Sequence, residues 1–93
     1  MDKSIKAVVT VTGKDSKGII AKVSTFLSEK GANIEDISQT IMGEYFVMIM
    51  MVNLDKLKGE LSTRAKECAT LGKQIGMTIY VQHEDIFNAM HSI

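Results

Sequence analysis

With 93 residues the chain has room for one hydrophobic core and not for two, so a single domain spanning 1–93 is expected. Eleven basic and eleven acidic side chains cancel, which removes the broad field that binders of nucleic acid or anionic membrane rely on and leaves recognition to local groups. No apolar stretch approaches the roughly 20 residues of a membrane span, no secretory leader pattern is visible, and the lone Cys68 has no partner for an internal disulfide, so a cytoplasmic protein is expected.

In chain order, residues 5–12 alternate Ile5, Ala7, Val9 and Val11 with Lys6, Val8, Thr10 and Thr12, the period of a half-buried strand. The segment GKDSKG follows, and then Ile19, Ile20, Val23, Phe26 and Leu27 recur at helical spacing. Gly31 is placed to stop that helix, because glycine adopts left-handed backbone without a Cβ penalty. Residues 33–42 read as a second strand, but apolar positions at 34, 37 and 41 break strict alternation near Glu35 and Asp36, which predicts either a bulge or a late start to the strand. Gly43 and Glu44 make a short turn into YFVMIMMV, residues 45–52, apolar on both faces and therefore read as an interior strand. Past Asn53, a second helix carries Leu57, Leu61, Ala65, Cys68 and Leu71 or Ile75 on one stripe, with Asn53 or Asp55 as its cap. Gly76 opens a fourth strand, in which Met77, Ile79 and Val81 alternate with Thr78, Tyr80 and Gln82. Behind an Asp85 cap, Ile86, Phe87, Met90 and Ile93 define a short apolar tail helix over 85–93.

The order βαββαβ, residues 5–84, predicts an α+β ferredoxin-like sandwich: a four-stranded antiparallel sheet, two helices on one face, and a C-terminal helix after it. Such a fold leaves the other face bare, yet the third strand presents either Phe46, Met48 and Met50 or Val47, Ile49 and Met51 to it. The tail helix or a second subunit is expected to cover that surface.

A loop entering a helix exposes unpaired N–H groups and the positive end of the helix dipole, so it can hold a carboxylate without a charged side chain. Gly18 would let a ligand approach the backbone, and Asp15, Asn33 or a backbone carbonyl of the second strand could accept from its cation. The same residues also make an ordinary turn, with Asp15 as its cap. Elsewhere the chemistry is sparse. His83, Glu84 and His91 lack metal-ligand spacing and read as surface or interface residues, so neither metal nor cofactor is expected. Cys68 sits on an apolar stripe and reads as a small buried hydrophobe, and the seven methionines as core or self-interface. Phosphate-loop, zincin and serine-elbow motifs are missing, and Arg64, the only arginine, is misplaced for acylphosphatase chemistry. Exposed aromatics among basic residues, which an RNA-reading sheet needs, are missing too. No enzyme activity is expected.

The stretch VTVTGKDSKGIIAKVSTFLSEKGANIEDISQ resembles the first half of an ACT domain, which typically joins its first strand to a helix through D-x-P-G-[LI] and opens the second strand with N-I. The corresponding positions are Asp15, Ser16, Lys17, Gly18 and Ile19, then Asn33 and Ile34; Lys17 stands where proline is common. The chain is most similar to stand-alone bacterial and archaeal ACT proteins, through ISQT, EYF and a short helical tail, and its GKD is similar to that of glycine-cleavage regulators. The resemblance implies a regulatory homodimer or higher homo-oligomer that binds an amino acid or small carboxylate, with the loop of one subunit facing the second strand of another. The alternative is a ligand-free dimerisation module that docks on a separate enzyme or regulator.

Overall fold

The computed structural model describes residues 5–91, in which seven elements follow one another: β1 (Lys6–Lys14), α1 (Ile19–Glu29), β2 (Asn33–Met42), β3 (Tyr45–Asn53), α2 (Leu61–Ile75), β4 (Met77–His83) and α3 (Glu84–His91). The strands form one antiparallel sheet in the order β2-β3-β1-β4, the ferredoxin-like architecture expected. Because β1 and β3 are flanked on both sides, their backbone groups are paired along their length, and β3 is the interior strand its composition predicts.

Directly paired residues share a face, so the register sorts every strand side chain. One face carries Ala7, Val9 and Val11, with Phe46, Met48, Met50 and Val52 beside them and Met77 and Ile79 on β4, all buried. Ile19, Val23 and Leu27 of α1 and Cys68 of α2 complete this core. The opposite face carries Val8, Thr10 and Thr12, with Tyr45, Val47, Ile49 and Met51 on β3 and Thr78, Tyr80 and Gln82 on β4. Thus Phe46, Met48 and Met50 point to the helices, and Val47, Ile49 and Met51 are the set left over. The tail covers part of that face: α3 lies on β1 and β4, Phe87 walls a hollow floored by Val8, Ile49 and Met51, and Val8 is only 2% exposed. Gln82 Nε2 also donates to Met90 Sδ at 3.3 Å. Toward the other end, Met42, Tyr45 and Tyr80 remain exposed.

Several boundaries differ from the sequence reading, each for a physical reason. β1 extends two residues further, through Gly13 and Lys14, because β3 continues alongside both and β4 alongside Gly13. Of the two expectations near Glu35 and Asp36, the structure has the bulge and not the late start: β2 begins at Asn33, and its pairing shifts between Ile34 and Asp36. α2 begins at Leu61, four residues after Leu57, and neither Asn53 nor Asp55 caps it. Leu57 instead packs on the core from the preceding loop. Asn53 Oδ1 accepts the Asp55 N–H at 2.9 Å, closing a local turn, and Asp55 Oδ1 accepts the Ile5 N–H at 2.9 Å, which ties down the start of β1. α3 starts one residue early, at Glu84, so Asp85 is in its first turn rather than its cap. Ile93 lies outside the described residues.

α1 ends in a Schellman motif. The N–H of Ala32 reaches the carbonyl of Leu27 at 3.0 Å, and that of Gly31 reaches Ser28 at 3.1 Å. Gly31 has the left-handed φ of 86° this requires, and a Cβ on it would lie 2.1 Å from the Lys56 carbonyl oxygen. The close approach joins the end of α1 to the loop before α2, where the Lys58 N–H also bonds the Lys30 carbonyl at 2.8 Å.

Candidate functional site

The loop between β1 and α1 has shrunk to residues 15–18, and it is held at its base. The Asp15 N–H donates to the Glu44 carbonyl at 2.9 Å, which fixes the loop beside the β2–β3 turn. Gly18 is the N-cap of α1, with φ 81°, and no side chain caps the helix; its first turn holds no acidic residue. Asp15 is therefore not the cap, and the leading N–H groups of α1 are available to an anion. A Cβ at Gly18 would meet only Lys22 Cε, at 3.9 Å, so the space before the helix is open. Asp15, Ser16, Lys17 and Gly18 are exposed, whereas Ile19 is 3% exposed and anchors the helix in the core.

Asn33 and Ile34 sit elsewhere. Asn33 pairs with Asn53 at one end of the sheet, whereas Lys14, which leads into the loop, pairs with Tyr45 at the other. Ten residues of β2 separate the two ends, roughly 30 Å at the usual strand rise. One chain thus does not bring the two halves of the expected site together. Around Asn33 the surface is concave on both sides. A hollow of about 430 Å³ is bounded by Ser24, Thr25, Ser28, Glu29, Asn33 and Ile34. Another of about 560 Å³ is bounded by Ser28, Gly31, Asn33, Asn53, Asp55 and Lys56. Sequence reasoning missed Ser24 and Ser28; their i, i+4 spacing, which puts both on one side of α1, was the available signal.

β2 itself is an edge strand ten residues long. All of its residues except the half-buried Ile34 are exposed, Ile37, Ile41 and Met42 among them. A long edge with apolar side chains on it is a template for pairing with another strand.

His83 accepts the Asp85 N–H on Nδ1 at 3.1 Å, with Asp85 Oδ2 3.8 Å away, so its ring belongs to the β4–α3 junction. Among the described residues, no three His, Cys, Asp or Glu side chains converge as metal ligands do.

Cys68 is 1% exposed, and burial, with a smaller contribution from the Glu67 carboxylate, pushes its thiol from 9.0 up to about 11. The folded state therefore keeps its proton where the unfolded chain loses it. This contribution to stability is complete below pH 9 and declines as pH rises from 9 toward 11. At pH 10 the folded chain is expected to lose about 1 kcal/mol relative to pH 8 through this group. Urea titrations of wild type and Cys68→Ala at both pH values isolate it; equal losses in the two proteins contradict the assignment.

The fold is that of a ferredoxin-like sandwich, with an uncapped helix entrance at one end of the sheet and a hollowed asparagine corner at the other. Residues 6–82 match the ACT domain family; the chain belongs to that family, whose members are regulatory ligand-binding domains. It is 48% identical over 88 residues to a UPF0237 protein of Methanocaldococcus jannaschii, covering 95% of this chain and 98% of that one. An ACT domain protein from Streptococcus pneumoniae superposes with a TM-score of 0.82 at 40% identity, over 96% of this chain and all of the other. A putative glycine cleavage system transcriptional repressor superposes with a TM-score of 0.71 at 25% identity, over 88% of this chain and 47% of the repressor.

Proposed function

We propose that the protein is a cytoplasmic, non-catalytic sensor that binds an amino acid or similar small carboxylate between two copies of the chain. The observation that carries this reading is the separation of the site's halves along a bare edge strand. Antiparallel pairing of β2 with β2 of a second copy would bring the Met42 end of one chain, where residues 15–18 lie, against the Asn33 end of the other. The carboxylate would then take the free N–H groups at the start of α1, with Gly18 giving access to the backbone. The ammonium would be accepted by Asp15 or by Asn33 of the second chain. Ser16, Lys17 and Ile34, with the backbone N–H of the buried Ile19, would complete the contact. Pairing would also satisfy the exposed edge and remove Ile37 and Ile41 from water.

A thermal-shift screen against the twenty amino acids tests this reading. A ligand at ten times its Kd stabilises by about 1.4 kcal/mol, which for a domain of this size raises Tm by roughly 6–11 °C. Gly18→Val and Asp15→Ala are expected to keep the fold and lose the shift. Sedimentation should report a dimer. A wild type that none of the twenty compounds stabilises at millimolar concentration overturns the sensor reading.

A further inference from the structure

The face of the sheet away from α1 and α2 holds a hollow that the amino-acid site does not use. α3 lies on β1 and β4, and between its Phe87 and the edge strand β2 lies a space of about 170 Å³. Val8, Ile49 and Met51 form its floor, and Asp36 and Ser38 stand on the far wall. Two residues apart on one strand, Asp36 and Ser38 leave the same face about 7 Å from one another. Asp36 Oδ1 accepts the N–H of Ile37 at 2.9 Å. Its second oxygen and the Ser38 hydroxyl accept no hydrogen bond from the described residues. Lys6, on the same face, is engaged with Glu35 at 3.2 Å.

From this geometry we infer that the hollow is a binding site for a small primary amine with a compact apolar body. An apolar cavity of about 150 Å³ accommodates a benzene ring, so the floor fits a ring or branched group of about six carbons. The ammonium of such a molecule would reach the unpaired Asp36 oxygen, and Ser38 would accept a second N–H. The same carboxylate repels acids, so the site selects the opposite ligand charge from the helix entrance at residues 15–18. Occupied, it would bridge α3 to β2.

Benzylamine is the probe, titrated at neutral pH into the 15N-labelled full chain, with benzyl alcohol and benzoate as comparisons. The amides of Val8, Asp36, Ser38, Ile49, Met51 and Phe87 are expected to shift on one saturating curve. Benzyl alcohol should bind about fivefold more weakly, as expected for loss of one largely exposed charge pair, and benzoate not at all. Asp36→Asn retains an oxygen for the Ile37 N–H and should weaken benzylamine about fivefold, to the level of benzyl alcohol. Ile49→Phe, at a position 42% exposed, fills the hollow and should abolish binding while the rest of the amide spectrum is unchanged. Equal binding of benzylamine and benzoate, shifts confined to other residues, or unchanged affinity in Asp36→Asn each overturn the assignment. None of these outcomes depends on whether an amino acid binds at residues 15–19, because benzylamine carries no carboxylate.

Discussion

Gly31→Ala is expected to destabilise the protein by at least about 3 kcal/mol, the largest effect of any single substitution considered. Left-handed backbone costs an L-residue roughly 1–2 kcal/mol, and here the new Cβ would also meet the Lys56 carbonyl oxygen at 2.1 Å. Neither partner can yield separately. Lys56 belongs to the loop that the Lys58–Lys30 bond holds against α1, while Gly31 is fixed by the Schellman bonds. Relief therefore requires moving the end of α1 or the start of α2. Gly43 is the natural control: its φ is 63°, but a Cβ there meets nothing within 4 Å, so Gly43→Ala should cost only the backbone preference, about 1 kcal/mol. Urea unfolding of both variants measures the difference. Similar losses at the two positions contradict the contact with Lys56.

Phe87→Ala is expected to cost about 2 kcal/mol, roughly half the usual penalty for a fully buried phenylalanine because the ring is half-buried. Its ring walls the hollow over Val8, Ile49 and Met51, and a helix of eight residues has little stability without such an anchor. Ile86, the preceding residue, is 56% exposed, so Ile86→Ala should change stability by less than about 0.5 kcal/mol. A chain shortened to residues 1–84 should bind a hydrophobic dye and self-associate, because Val8, Ile49 and Met51 would lie open together. Equal stability of the two alanine variants and a well-behaved shortened chain would mean that α3 protects nothing.

The fold was legible because each element carried its own period and its own stop. Alternation in residues 5–12, the helical spacing from Ile19 to Leu27 and the broken alternation near Glu35 are all local signals, and all correspond to elements found. The misreadings came where tertiary structure reuses a local signal. Leu57 falls in phase with the stripe of α2, yet it reaches the core from a loop. Asp55 has the composition of a helix cap, yet its carboxylate is taken by Ile5, fifty residues earlier. The residues of the candidate site were legible as a motif, but their separation to opposite ends of the sheet follows from strand register. So does the meeting of Asp36 and Ser38 with Phe87. No spacing within a single segment encodes either.

The irregularity between Ile34 and Asp36 sets the parity of the strand. Ile34 pairs with Val52 and Ile37 with Met50, so residues an odd number apart look toward the same helices. In an unbroken strand Ile37 would share its face with Glu35 instead. Glu35 is thus a counted residue whose presence, more than its chemistry, keeps Ile37 and Ile41 on one side and Asp36 and Ser38 on the other. Deleting it would exchange the two sides of half the strand at once, and no point substitution could restore them. Length variation in this part of the protein should therefore be tolerated at the Gly43–Glu44 turn and refused between residues 33 and 42.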